Sequence, residues 1–281
     1  MKHLSKDGET VTIHKFDGLE PPSKKREEQD RLAIILDVET TGLSAQVDRV
    51  IQLALRPFYF DPETYEVTGI AKRMVFYNDP GEPLREEIIG FTGITDDDLS
   101  GEKIDWEWIR NALHRAEVII THNVPFDRQF VEAELVREGL PYTDGPIWCC
   151  SMRQVDWHSV CKPSNSLEVL CAWSGFFYDS HKADADVDAL FHLLRKNGKI
   201  QELIERGTSP EHRVFAVGSP IEMNPLLKRR WYRWDPGARM WWKGFEKEED
   251  AKSEIEWLKE NIDGVDPQVF EVEPKYRYSP E

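Results

Sequence analysis

Two carboxylates, Asp37 and Glu39, are the first residues in the chain whose types and spacing could do chemistry. They follow Leu32-Ala33-Ile34-Ile35-Leu36, a continuous apolar run of the kind a strand buried on both faces requires. Two positions apart on a strand, their side chains project from one face, roughly 6–7 Å apart. Like charges held so close repel unless a cation sits between them. An all-oxygen donor set suits Mg²⁺ or Mn²⁺. Thr40-Thr41-Gly42 then turns the chain away, and Gly42 lets backbone approach a ligand closely.

Three further groups could join this pair. Asp127 falls in the first turn of a helix expected from Pro125 to Glu138, just after a short strand stops at Thr121-His122-Asn123. Ligands of α/β sheets bind at such strand ends. Asp186 lies inside a helix expected from Ala183 to Lys196, with Leu190 its neighbour on the core side, so the carboxylate points near the sheet. His181 is five residues before Asp186, a spacing that on one helix gives nearly opposite faces. It therefore belongs to the loop before the helix and reaches the site from another direction, as a base that takes a proton from water needs to. His122 reads as a structural hydrogen-bonding residue.

The elements that must position these groups alternate in type. Strands are expected at 32–36, 49–57, 73–77, 118–120 and 147–151, with Asp61-Pro62 and Glu66 to Gly69 as punctuation. Helices are expected at 104–115, 125–138, 166–173 and 183–196. Pro125 sits in a first turn, where its missing N–H costs nothing, while Gly139 and Asn197-Gly198 act as stops. Three strands, then helices alternating with strands, then a closing helix make an α/β domain with a mixed five-stranded sheet flanked by helices. This domain spans residues 31–200. Residues 1–30 read as a flexible extension, because Pro21 to Glu28 is charged and has no apolar period. Residues 211–281 read as a small α+β unit.

Composition narrows the setting. The 281 residues suffice for one medium domain and a small one. A net charge of −16 argues against coating duplex non-specifically, which needs a basic surface. It does not argue against a site where bound cations supply the positive charge. Cys149, Cys150, Cys161 and Cys171 have no zinc spacing and read as buried thiols. No apolar run has membrane-spanning length and Met1 to Glu20 has no signal-peptide core, so the cytoplasm is the expected compartment.

Three segments together carry a family resemblance: Asp37-Val38-Glu39-Thr40-Thr41-Gly42-Leu43, His122-Asn123-Val124-Pro125-Phe126-Asp127 and His181-Lys182-Ala183-Asp184-Ala185-Asp186. In type and order they resemble the exonuclease motifs of the DnaQ-like DEDDh 3′→5′ exonucleases, and Thr92-Gly93-Ile94-Thr95-Asp96 resembles their linker. That family includes proofreading subunits, ribonuclease T, oligoribonuclease and exonuclease X. The resemblance covers about residues 31 to 196. It implies a ribonuclease-H-like fold and two metal ions on Asp37, Glu39, Asp127 and Asp186. It implies that His181 is the general base. Thr40 and Leu43 would contact the terminal nucleotide, and Asn123 and Phe126 would line the same pocket. Core packing is the competing use of Leu43 and Phe126. One departure is Ala183-Asp184, where many relatives have Ala-Leu. Asp184 and Asp188 add charge nearby, while Asp186 keeps the ligand spacing from His181.

The last seventy residues carry a second signal. Lys228, Arg229, Arg230, Arg233, Arg239 and Lys243 face only Asp235 in a segment rich in tryptophan. Leu226 to Trp234 and Arg239 to Lys243 read as a hairpin around Asp235-Pro236-Gly237, followed by a helix from Ala251 to Asn261. Interleaved cations and aromatics suit single strands. They equally suit the core of a small domain with little else to bury. Lys228, Arg229 and Arg230 are the expected phosphate contacts. The expected partner is nucleic acid with a free 3′ end, with single-stranded DNA favoured. An RNA-trimming enzyme, a polymerase proofreading subunit and a non-catalytic module that kept the fold are the competing functions.

Overall fold

The computed structural model of the protein describes residues 3–4, 11–18, 27–140, 145–161 and 164–279. The chain divides into two compact units, residues 1–207 and 208–279.

In the first unit, β1 (His3–Leu4) pairs antiparallel with β2 (Val11–Thr12), and β3 (His14–Lys15) follows. Next come β4 (Arg31–Thr40), β5 (Val50–Phe60), β6 (Val67–Ile70) and β7 (Met74–Tyr77), then α1 (Glu86–Thr92), α2 (Asp96–Leu99) and α3 (Trp106–Leu113). Alternation begins with β8 (Val118–Thr121), α4 (Val124–Arg137), β9 (Ile147–Cys150), α5 (Ser151–Gln154) and α6 (Leu167–Trp173). β10 (Phe176–Phe177), α7 (Ala183–Lys196) and α8 (Ile200–Thr208) complete it.

The main sheet runs β6-β5-β4-β8-β9, with β7 also paired to β5. β4 is antiparallel to β5 and parallel to β8, so the sheet is mixed, as expected. It has six strands rather than five. The addition is β6, which the sequence presents as a turn because Gly69 interrupts it. The structure uses that gap: a Cβ on Gly69 would lie 3.5 Å from the Tyr59 ring. Thr68 is buried there and donates to Asp30 at 2.6 Å. β4 is covered on both faces, as its apolar run requires. α7 lays Val187, Leu190 and Leu194 into the core, and Phe191 stacks on Phe58 at 4.7 Å.

The flexible extension expected over residues 1–30 is corrected at its centre. β3 pairs parallel with β10, and the Phe16 ring stacks on His192 at 4.6 Å. Phe16 gives this polar segment a surface worth burying, and the adjoining backbone is satisfied by Gly175 and Phe177. The charged run from Pro21 to Arg26 lies outside the described residues.

The second unit comprises β11 (Glu211–Val217), α9 (Asn224–Arg229), β12 (Arg233–Asp235), β13 (Met240–Phe245), α10 (Glu248–Asn261) and β14 (Asp266–Val272). Its sheet order is β12-β13-β11-β14. The hairpin read in the sequence is β12 with β13, in register Trp234 to Trp241, but its first arm is shorter than expected, because Leu226 to Arg229 belong to α9. Trp241, Tyr232, Val214, Leu227 and Leu258 form its core, whereas Trp231 and Trp234 are exposed. The aromatics of this unit thus divide between its core and its surface.

None of the four cysteines is in a disulfide and all are buried. Among the described residues no helix is long and apolar enough to cross a membrane.

Candidate active site

β4 delivers Asp37 and Glu39 at its C-terminal end, where the pairing with β5 shifts between Glu39 and Thr40. Such a bulge re-aims side chains at the rim of a sheet. α7 delivers Asp186 from its first turn. One carboxylate oxygen from each of Asp37, Glu39 and Asp186 lies within 4.8 Å of the others. Asp186 is oriented through both oxygens. Tyr178 Oη donates to Oδ1 at 2.6 Å and the Lys182 N–H donates to Oδ2 at 3.1 Å. Asp127 is buried in the first turn of α4, outside that trio, yet its charge is felt at Asp37 and Glu39.

Burial, reinforced by Asp127, Asp186 and Glu39, holds the Asp37 carboxyl well above the usual carboxylate range. Burial, with Asp186 and Asp127, pushes Glu39 up to about 8. Burial lifts Asp127 to about 7 and Asp186 to about 6, against hydrogen bonds that favour their charged forms. Among the described residues, no lysine or arginine forms an ion pair with any of the four. Clustered, desolvated carboxylates without a cationic side chain fit a hard divalent cation. The residues present match the implied metal.

His181 stands on the loop before α7 with a left-handed backbone, φ 63°. Its Nε2 lies 3.3 Å from Glu168 Oε1, and its ring packs on Phe91 with centroids 3.8 Å apart. His122 is half-buried between Ser151 Oγ and Asn165 O, each 2.7 Å from a ring nitrogen. Burial pushes it down to about 4. It is a neutral structural bridge.

The loop after β4 is pinned by Asp48. A Cβ on Gly42 would meet the Asp48 carboxylate at 2.5 Å, and Ser44 N donates to that carboxylate at 2.8 Å. Gly42 therefore admits Asp48, where the sequence suggested room for a ligand. Thr40 Oγ1 donates to Gly42 O at 2.6 Å. This leaves Leu43 displayed with 84% of its surface exposed, which favours contact over core packing. Phe126 is half-buried with its ring 5.0 Å from Phe130, and Asn123 precedes α4 as its N-cap residue.

Two expectations require correction. Asp188 does not add free charge to the site. It is buried against Arg56 at 2.5 Å and Arg73 at 2.7 Å, while Asp184 pairs with Arg73 at 2.8 Å. The spare acids neutralise arginines reaching α7. Arg230 is not a free phosphate contact either. It grips Glu254 through two bonds of 2.7 and 2.8 Å and lies over Trp257 at 3.5 Å. Lys228 and Arg229 are exposed, with Lys228 Nζ 5.7 Å from the Trp241 ring. Sequence reasoning passed over Tyr178, Glu168 and Phe91. Glu168 carried one usable signal, its place in the first turn of a helix read correctly from 166 to 173.

A mixed six-stranded sheet flanked by helices, with acidic groups gathered at the end of its central strand, is a ribonuclease-H-like fold. Residues 34–194 match the family model described as Exonuclease, and the chain belongs to that family. It is 31% identical over 191 residues to the DNA polymerase III PolC-type of Lacticaseibacillus paracasei, covering 66% of this chain and 13% of that protein. With the PolC-type polymerase of Halalkalibacterium halodurans it shares 35% identity over 168 residues, covering 57% of this chain and 11% of the relative. The chain thus spans only a small part of these relatives' length. A solved structure titled as the zinc-bound form of an E. coli ExoI–ssDNA complex shares the fold, with TM-score 0.50 and 19% identity, covering 67% of this chain and 48% of that one.

Proposed function

We propose that this chain is a cytoplasmic, metal-dependent 3′→5′ exonuclease that releases nucleoside monophosphates from DNA. The observation that carries the reading is the meeting of Asp37, Glu39 and Asp186 within 4.8 Å. In this reading Asp37, Glu39, Asp127 and Asp186 hold two Mg²⁺ or Mn²⁺ ions. Bound there, the ions supply the positive charge that phosphoryl transfer to water requires. Tyr178 and the Lys182 amide keep Asp186 aimed at the site. His181 accepts the proton of the attacking water. Leu43 meets the terminal nucleotide from its pinned loop, with Thr40, Asn123 and Phe126 around it. The similarity to DNA polymerases and the single-stranded DNA in the E. coli complex favour DNA over RNA. The polymerase relatives also support a second reading, removal of mispaired termini. Four cysteines outside any disulfide suit a reducing compartment.

The test uses one sequence, end-labelled, as single-stranded DNA, duplex DNA and RNA. Single-stranded DNA should shorten by one nucleotide at a time from its 3′ end with Mg²⁺ or Mn²⁺ and stay intact with chelator. Digestion in excess chelator, or shortening from the 5′ end, overturns the reading. Faster removal of a mispaired than a paired terminus selects the second reading, and preference for RNA moves the substrate class.

In the same proposal, Lys228 and Arg229 contact phosphates of longer strands. Both are exposed in a chain of net charge −16, so a local basic patch attracts phosphate where the rest repels it. Reversing Arg229 to glutamate should weaken binding of a long single strand. It should also flatten the plot of log affinity against log salt by about 0.7 per lost contact. Dinucleotide hydrolysis should stay as it was. An unaltered salt slope in the full chain removes the patch from substrate binding.

A further inference from the structure

We propose that one face of the second unit's sheet, the face opposite α9 and α10, binds single-stranded DNA by stacking bases on Trp242, Phe215 and Phe270. The surface lies apart from the cleavage site's residues and from Lys228 and Arg229, and it rests on the reading of DNA as substrate. In chain order the unit runs β11, α9, β12, β13, α10, β14, and every pair of neighbouring strands is antiparallel. This is the split β-α-β arrangement. Both helices pack on one face, where Leu227 of α9 and Leu258 of α10 meet Val214, Ala216 and Trp241. Side chains alternate along a strand, so the residues between these point the other way. On that second face Trp242 and Phe215 are partly exposed and Phe270 is 53% exposed.

Strand pairing lays this face out in rows. One row is Arg233, Trp242, Phe215 and Gln268, and the next is Gly244, Arg213 and Phe270. The two rows hold rings and guanidinium groups, with no aliphatic side chain and no acid. The acids of this face stand in the rows beyond, Asp235 opposite Met240, Asp266 opposite Val217 and Glu211 opposite Val272. In a chain of net charge −16, two adjacent rows free of carboxylates are a local exception. A single strand offers what matches them, flat bases for the rings and phosphates for the arginines.

The rings are held ready. Phe215 and Phe270 meet edge to face with centroids 5.7 Å apart. The Arg213 and Arg233 guanidinium carbons lie 4.4 and 5.8 Å from the centre of the Trp242 ring. Arg213 is fixed there by donating to Glu211 at 2.7 Å and to the Arg277 carbonyl at 2.7 Å. A guanidinium plane stacks on bases as a ring does. A row across four strands measures about 15 Å, room for two or three bases. Stacking tolerates any sequence, which suits a member of an exonuclease family.

The test measures binding by the full-length protein in chelator, with a 5′-labelled DNA strand of mixed sequence and RNA of the same sequence. Phe270→Ala and Phe215→Leu should each weaken DNA binding by about fivefold to a hundredfold, what one stacked base contributes. Phe270→Tyr keeps a ring and should bind like wild type. The plot of log affinity against log salt should shift in these variants with its slope unchanged, because no phosphate contact is lost. Dinucleotide hydrolysis should stay at the wild-type rate. Phe270 is exposed on an edge strand, so its replacement leaves the core in place. Wild-type affinity in Phe270→Ala and Phe215→Leu, a lower salt slope in either, or tighter binding of the RNA than of the DNA overturns the proposal. If Phe270→Ala loses affinity while the wild type cuts no strand with metal present, the surface stands and the nuclease reading falls.

Discussion

Asp37→Asn is expected to lower turnover by several orders of magnitude and, at pH 8 without metal, to raise the melting temperature. Both effects come from one cause. Asp37 is half-buried beside Asp127, Asp186 and Glu39, and desolvation and these charges all oppose its ionisation. The sign follows from linkage. A carboxyl whose folded pKa exceeds its unfolded value binds more protons in the folded state. Stability therefore falls as pH rises through that interval. The interval runs from the ordinary value of about 4 up to about 6 for Asp186, about 7 for Asp127 and about 8 for Glu39. Asparagine removes one contributor to that loss and, in the proposed function, a carboxylate that holds the divalent ions. Wild-type protein should regain stability when Mg²⁺ or Mn²⁺ binds, since a ligand of the native state stabilises it. Calorimetry in chelator and in metal, beside the nucleotide-release assay, checks both halves. An active variant, or one that melts below wild type in chelator at pH 8, contradicts the account.

Asp188→Ala should destabilise the first unit by about 3–5 kcal/mol, the usual cost of removing one member of a buried ion pair. Arg56 would be left with its side chain 6% exposed and its main partner gone, and Arg73 would lose one of its two carboxylates. Asp184→Ala removes only the outer, partly exposed contact of Arg73 and should cost less than about 1 kcal/mol. Denaturant unfolding of the two variants separates the claims. Equal midpoints would show that Asp188 is not what anchors α7.

The contrast between Asp186 and Asp188 shows what could be read ahead of the structure. The residues of the candidate site cluster in short motifs, each at the end of an apolar run, so strand and helix rules place them. Helix α7 was bounded correctly for that reason, and its apolar positions mark the buried face. Partners distant in sequence left no such trace. Asp188 meets Arg56 across 132 positions, and nothing local distinguishes it from a second metal ligand. Arg230 read as a phosphate contact because Glu254, which neutralises it, arrives from α10 twenty-four positions later. β6 was hidden because a glycine that reads as a turn admits an aromatic ring. Tyr178 leaves no motif because an orienting residue is recognised by what it touches, here Asp186.

The burial of every thiol gives the first unit its own reporter of opening. Cys149, Cys150, Cys161 and Cys171 all lie within residues 1–207, whereas the ten tryptophans divide equally, five in each unit. Burial also pushes the Cys150 and Cys171 thiols up, which keeps them from forming the reactive thiolate in place. A maleimide mixed with folded protein therefore meets no ready nucleophile at these sites. Its reaction measures how often the first unit opens, and converts to an opening free energy when reclosing outpaces labelling. Damage confined to the hairpin of the second unit would alter tryptophan emission and leave the labelling rate unchanged.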